Sequence, residues 1–425
     1  MTTSRRDLLQ GMTAAAAGIA AVRAVVTPRE AQAQPVIKPS SAGEAFWQEV
    51  RTQFPLKPGT VMLNAGNLAP SPQPVFDAVV EAMRDIDADA SAQNRAKYAE
   101  MREVARIRMA EFLGADAAEI AFPRNASEGN STIVQGLSLG PGDEVVIVDE
   151  NHESNHVAWK VRAARDGFTV KTISFGDWRG TREGLLEFIV AAMGPTTRVV
   201  TFSDISNVSG LMLPVAEISA AAHERGIWVH VDGAQSLASV PVNLHALGCD
   251  SYAASAHKWL MGPKEAGIFY VRADRIDDLW PALVSQDWGD DVETVLPGAR
   301  KYECVGQRND ALLAGITPSL DFHAGIGSDA IYARILELAS LLKEGLALIP
   351  GINLVTPSTP DMSAGVVVFN FPGRDNRAVY NALYEQARIA ASTKGGIRLC
   401  PHIYNTRADV ELAVATVERI AAGLV

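Results

Sequence analysis

The chain reads as an α/β protein built around a mostly parallel sheet, with a smaller α/β region after it. Three observations predict this. Strand-length apolar runs alternate with segments of helical apolar spacing between residues 144 and 271, the pattern of a parallel sheet with helices on both faces. Asp149, Ser203, Asp204, Asp232 and Ser255 fall at or just past the ends of those runs, where open α/β sheets bind ligands. The composition, 48% hydrophobic and 20% charged over 425 residues, is that of a globular protein with length for a large core.

The N-terminus reads as an export signal. Ser4-Arg5-Arg6-Asp7-Leu8-Leu9 has the twin-arginine pattern, residues 11–26 are apolar and Ala-rich, and Ala31-Gln32-Ala33 is a small-x-small cleavage site. The alternative is an ordinary helix with two surface arginines. Cleavage after Ala33 divides the chain into a leader (1–33), a large domain (34–300) and a small C-terminal domain (301–425). It places the mature protein in the periplasm, delivered by the twin-arginine translocation machinery as a folded molecule. The apolar run is short and broken by Arg23, and no other segment approaches about 18 continuous apolar residues, so no membrane span is expected. A net charge of −11 without a basic stripe argues against a nucleic-acid partner. Three scattered cysteines, Cys249, Cys304 and Cys400, make neither a disulfide framework nor a metal-type pair.

The elements follow in order. A helical stretch covers 44–54. Residues 61–70 are a short strand running into a Gly/Asn/Pro turn, and 74–88 and 98–113 have helical spacing. Strand 120–122 ends in Pro123-Arg124-Asn125-Ala126-Ser127-Glu128-Gly129, from which a helix runs to about Leu137. Strands at 144–149, 169–175, 198–203, 227–232, 251–255 and 266–271 then alternate with helices at 157–165, 184–193 and 215–225. Beyond Pro297, helix 330–348, strand 366–371, helix 377–386, strand 397–400 and helix 408–422 form a βαβ-like run.

Three features carry chemistry. Lys258 lies between a strand and the Gly262-Pro263 turn, flanked by apolar residues. Desolvation there favours the neutral amine, which attacks carbonyls to form a Schiff base. Ser127 sits at a helix start, where unpaired N–H groups and the macrodipole favour a phosphate; the alternative is that it only caps the helix. His152-Glu153-Ser154-Asn155-His156 is literally H-E-x-x-H. On a helix its histidines would bind zinc beside a glutamate base, so an exported zinc hydrolase is the rival reading. His152 follows strand 145–148 directly, which places it in a turn, and no third ligand has a recognisable spacing.

Val231-Asp232-Gly233-Ala234-Gln235-Ser236, then Ser255-Ala256-His257-Lys258 and Gly262-Pro263, resemble the signature of class V pyridoxal-phosphate aminotransferases. These are fold-type-I enzymes that include cysteine desulfurases and isopenicillin N epimerase-like proteins. The resemblance extends to Ser206-Asn207-Val208-Ser209-Gly210, to 125–129 and to the closing motif at 396–406, and so covers nearly all of the chain after the leader. It implies a pyridoxal 5′-phosphate cofactor on Lys258, with Asp232 at the ring nitrogen, Gln235 and Asn207 beside the ring, and Ala126, Ser127, Ser255 and His257 around the phosphate. His152 is the implied ring-stacking residue. Lys258 would also move the substrate's α-proton. Arg398 would clamp the carboxylate of a small amino substrate through paired hydrogen bonds; Asn67 is a further substrate-side candidate or only shapes its turn. No metal is implied.

Two departures stand out. Where the family often has a Gly-Thr pair reaching the neighbouring subunit's phosphate, this chain has Gly306-Gln307, leaving Gln307 as the donor. Residues 389–397 lack the cysteine that desulfurases carry before the arginine, which favours the isopenicillin N epimerase-like branch. The expectation is an aminotransferase-type homodimer acting on an amino acid, an amine or a peptide- or siderophore-like substrate. Epimerase and lyase outcomes share the same first steps.

Overall fold

The computed structural model describes residues 43–176 and 180–423, which belong to one compact unit. The export motif and cleavage site lie outside the described residues. No described helix is long and apolar enough to cross a membrane.

The strands are β1 (Val61–Met62), β2 (Ile120–Ala121), β3 (Glu144–Val148), β4 (Thr169–Ile173), β5 (Thr197–Ser203), β6 (Trp228–Asp232), β7 (Ser251–Ser255), β8 (Gly267–Val271), β9 (Asn353–Leu354), β10 (Val367–Asn370), β11 (Ile389–Ala390) and β12 (Ile397–Leu399). Seven of them form the main sheet in the order β2-β8-β7-β6-β5-β3-β4. Only β8 runs against the others, pairing antiparallel with both β7 and β2. This is the mostly parallel sheet expected from the alternation. Strands β6, β7 and β8 are buried along their whole length, which is why they read as continuous apolar runs rather than alternating ones.

The apolar core lies on both faces of this sheet. On one, Val146, Val200, Val229, Ala254 and Ile268 pack against Leu185, Ile189, Ile218, Leu313 and Ile316. On the other, Val145, Ile147, Val199, Ala253 and Phe269 meet Ile133, Val134 and Trp159. A further core joins helix Ser328–Ala347 to β10, β12 and helix Arg407–Ala421, and it also takes Val61 and Leu63 from the N-terminal segment.

The C-terminal region corrects one expectation. Strands β10 and β12 flank helix Asn376–Ala387 in sequence but pair antiparallel, so this is not a βαβ crossover. Strand β11 leaves that layer to pair in parallel with β1. A hairpin between them, closed where Ser392 bridges Arg398, then reverses the chain into β12. Gly395 (φ +74°) and Gly396 (φ +147°) make that reversal, and a Cβ on Gly395 would lie 1.8 Å from the Val208 carbonyl. The close approach brings the Arg398 hairpin against the loop that carries Asn207.

Candidate active site

The carboxyl ends of β5, β6 and β7 converge as expected. Asp232 ends β6 and Ser255 ends β7, and both are buried. Lys258 follows on a loop pinched at its neck, where Gly262 N–H donates to the Ala256 carbonyl at 2.8 Å. A Cβ on Gly262 would meet Ala256 Cβ at 2.9 Å, so only glycine closes the neck this tightly. Trp259 fixes the next position. Its indole donates to Gln235 Oε1 at 3.0 Å, and its carbonyl accepts from His402 Nε2 at 2.9 Å. His402 stacks on Tyr404 with ring centroids 5.3 Å apart.

Lys258 Nζ has no hydrogen-bond or ion-pair partner among the described residues. Burial pushes the amine down to about 8 from its ordinary 10.5; Asp232 opposes the shift and Arg398 reinforces it. Asp232 Oδ2 accepts from Asn130 Nδ2 at 2.9 Å, and Oδ1 accepts from the Ala234 N–H at 3.1 Å. Arg398 is 3% exposed and faces no carboxylate among the described residues. One of its nitrogens donates to the Asn207 carbonyl at 3.1 Å, while its Nε is buried without a partner, as is Asn207 Oδ1. A buried guanidinium with no counter-charge is costly unless an anion completes the site.

The start of helix Ala126–Gly136 lies beside these groups. Its N-cap is Asn125, whose side chain accepts from the Glu128 N–H. This corrects the alternative that Ser127 is the cap: Ser127 is the second helical residue and exposed, and its hydroxyl has no partner among the described residues. The Ala126 N–H is spent on Ser255 Oγ at 2.9 Å, so of that pair Ser255 keeps a free hydroxyl proton and Ala126 keeps none. Strand β8 abuts the turn so closely that a Cβ on Gly267 would lie 2.7 Å from Asn125 Cα.

Other expected residues divide. Gln235 is buried, and its amide donates to the Gly66 carbonyl at 2.9 Å, which leaves one amide hydrogen. His257 is half-buried and held neutral, burial and Lys258 pushing it down to about 4. Asn67 is exposed on a turn that its own N–H closes onto the Asn64 carbonyl at 3.0 Å. Gln307 is exposed and already engaged: it accepts from Arg95 at 3.0 Å and donates to the Arg308 carbonyl at 3.1 Å. Beside it, Arg308 has a buried Nη1 that makes no hydrogen bond and lies 4.0 Å from Glu303 Oε2, and the residue lines a cavity of about 320 Å³ with Arg124, Leu283 and Gln307.

The zinc reading fails on geometry. His152 caps a single turn, Glu153–Asn155, and His156 has φ −129° before helix Val157–Asp166 begins, so the two histidines do not share a helix face. Glu153 pairs with Lys394 instead. His152 faces the site: burial lowers its pKa, Asp232 pulls it up and Lys258 pushes it down. Among the described residues, ligand atoms gather only at Asp116, Glu119 and His245. There Glu119 is occupied in capping the Asp116 N–H, the Ala273 N–H and the His245 ring.

Sequence reasoning missed Asn130, Ser154 and His230. Asn130 and His230 are wholly buried and hydrogen-bonded behind Asp232. A histidine inside the otherwise apolar Ile227-Trp228-Val229-His230-Val231 was the available signal, because a buried imidazole needs partners.

The fold and this donor set define a fold-type-I pyridoxal-phosphate enzyme. An unpaired lysine amine, a buried carboxylate, orphaned polar atoms on Asn207 and Arg398 and the exposed Ser127 in the first turn of helix Ala126–Gly136 match what such a cofactor and an anionic substrate require. The chain belongs to the class-V aminotransferase family, whose model matches residues 61–420. It is 30% identical over 383 residues to an isopenicillin N epimerase of Amycolatopsis lactamdurans, covering 86% of this chain and 96% of the relative. It is 29% identical over 401 residues to a probable cysteine desulfurase of Methanothermobacter thermautotrophicus, covering 88% and 98%. A solved mutant of C-DES with glycine covalently linked to its PLP cofactor superposes with a TM-score of 0.79 at 25% identity, covering 87% of this chain and 98% of that one.

Proposed function

We propose that this chain is a pyridoxal-phosphate enzyme that exchanges an amino-bearing carboxylate substrate at Lys258 and transfers its amino group. The observation that carries the reading is the Lys258 amine, unpartnered among the described residues, set near the buried Asp232 and near Arg398, a buried guanidinium with no carboxylate partner among those residues and an unpartnered Nε. Bound there, the cofactor supplies an electron sink for the bond broken at the substrate's α-carbon. Asp232 offers its negative charge to the ring nitrogen. Ser127 and Ser255 offer hydroxyls to the phosphate. The free Nε and remaining guanidinium hydrogens of Arg398 orient the substrate carboxylate, and the neutral Lys258 amine takes and returns the α-proton.

Epimerisation is the second reading, favoured by the isopenicillin N epimerase relative. Persulfide chemistry is disfavoured: Cys249, Cys304 and Cys400 are all buried, and desolvation raises the Cys400 thiol above its ordinary pKa. Product analysis over a panel of amino acids, amines and small peptides tests the reading. A keto acid means transfer and a racemised substrate means epimerisation. A cofactor-loaded protein that turns over no amino compound sinks both.

A homodimer belongs to the same proposal. Trp280, Leu283, Val284, Val292 and Val295 are each half or more exposed, and Leu283 lines the Arg308 cavity. A second copy is the occupant that would cover this apolar run next to the cofactor site. Leu283→Asp should weaken the dimer in sedimentation and loosen cofactor retention; a monomeric wild type that holds its cofactor refutes it. Export by the twin-arginine route rests on residues 1–33, and replacing Arg5 and Arg6 by lysine should retain the protein in the cytoplasm.

A further inference from the structure

One amide lies at the junction of two groups that face the site. Asn130, on helix Ala126–Gly136, is 0% exposed. Its Nδ2 donates to Asp232 Oδ2 at 2.9 Å and to Ser154 Oγ at 3.0 Å, and so uses both amide hydrogens. Ser154 Oγ is 2.9 Å from His152 Nδ1. On the other side, Asn130 Oδ1 is 3.0 Å from His230 Nε2. His230 Nδ1 is 2.9 Å from Ser251 Oγ, which also accepts from the Trp228 indole at 2.9 Å.

Every proton in this chain has a determined place. The Asp232 carboxylate only accepts, so the amide nitrogen of Asn130 must face it and the amide oxygen must face His230. His230 therefore carries its proton on Nε2. Its Nδ1 accepts from the Ser251 hydroxyl, whose oxygen is free to receive the donor-only indole. At the far end His152 Nδ1 accepts from the Ser154 N–H at 3.2 Å and so carries no proton, and Ser154, which receives the second amide hydrogen, turns its own hydroxyl proton to that same nitrogen. The run Trp228, Ser251, His230, Asn130, Ser154, His152 is a single directed series of donors, with Asp232 on its branch.

We propose that Asn130 and His230 are a positioning pair that fixes both cofactor-facing groups, Asp232 directly and His152 through Ser154. This rests on the reading that Asp232 serves the cofactor's ring nitrogen. Asp232 is one soft torsion from turning its carboxylate away, and the Ala234 N–H holds only the other oxygen. A hydrogen bond to a charged acceptor in a dry site is among the stronger ones. His230 does not touch the cofactor site. Its role is to hold the Asn130 amide in the one orientation that presents a donor rather than an oxygen to Asp232.

The test uses the full-length protein loaded with pyridoxal phosphate and the variants Asn130→Leu, His230→Leu and His230→Gln. The leucines keep the volume but remove the donors, whereas glutamine keeps an N–H for Asn130. Each leucine variant should bind the cofactor roughly tenfold or more weakly and shift the pH midpoint of its visible band by about one unit; glutamine should restore both. Folded leucine variants with wild-type affinity and midpoint overturn the proposal, as does a glutamine variant no better than leucine. Nitrogen-15 NMR of His230 in the cofactor-free wild type supplies a readout that needs no variant to fold: a proton on Nε2 is expected, and a proton on Nδ1 overturns it. If the wild type takes up no cofactor, the functional reading fails, and the tautomer still decides the pair.

Discussion

At pH 7 an ordinary lysine holds only about one neutral amine in three thousand, whereas one titrating at about 8 holds about one in ten. Lys258 should thus present roughly three hundred times more nucleophile than a surface lysine. The causes can be perturbed one at a time, since Asp232 pulls its pKa up and Arg398 pushes it down. In cofactor-free protein, trapping by a small aldehyde and a mild reductant, counted by mass spectrometry on the Lys258 peptide, measures the neutral fraction as a function of pH. Wild type should give a midpoint near 8, Asp232→Asn a lower one and Arg398→Gln a higher one. The stability sign follows from the same shift. Below pH 8 the folded chain shelters a charged ammonium at full cost, and that cost is relieved as pH rises from about 8 to 10.5, where the unfolded chain still binds the proton. The relief is at most about 3 kcal/mol, and less in practice because Lys258 keeps some solvent contact. A wild-type midpoint above 10, or variants moving in the reverse directions, would refute desolvation as the source of reactivity.

Arg398→Leu should raise KM for carboxylate substrates by about 10- to 150-fold, the worth of a charge-assisted hydrogen bond, with little change for amines that lack the carboxylate; steady-state kinetics on both classes checks it. Gly395→Ala forces a Cβ into the Val208 carbonyl at φ +74°, so it should cost at least about 1–3 kcal/mol in chemical unfolding and weaken carboxylate binding by moving Arg398. Because His152 and His156 share no helix face, metal chelators should leave activity intact; loss of activity restored by zinc would revive the hydrolase reading.

The sheet was legible because parallel strands are buried on both faces and advertise themselves as apolar runs. Helix boundaries were less so: helix Ala92–Leu113 begins six residues before its expected start, where the Ser91 hydroxyl accepts from the Asn94 N–H. Helix Ile316–Ile326 was not seen at all. Lys258 was legible as a lysine set among apolar neighbours, whereas Asp232 and Arg398 were legible through their place in motifs that resemble the family's. Gln307 was legible only as a departure from a pattern, and its amide is occupied by Arg95 and the Arg308 carbonyl.

By itself, the sequence determined the α/β class and the family, because hydrophobic period, turn chemistry and local motifs are properties of neighbours along the chain. Tertiary structure alone decided that β10 and β12 run antiparallel, that the Gly395-Gly396 hairpin meets the Asn207 loop, and that His152 and His156 part company. It alone brought Asn130 and His230, 100 residues apart, together behind Asp232. The physical reason is that a hydrogen-bond partner is chosen by distance and direction in space, and at such separations only the packed fold supplies either.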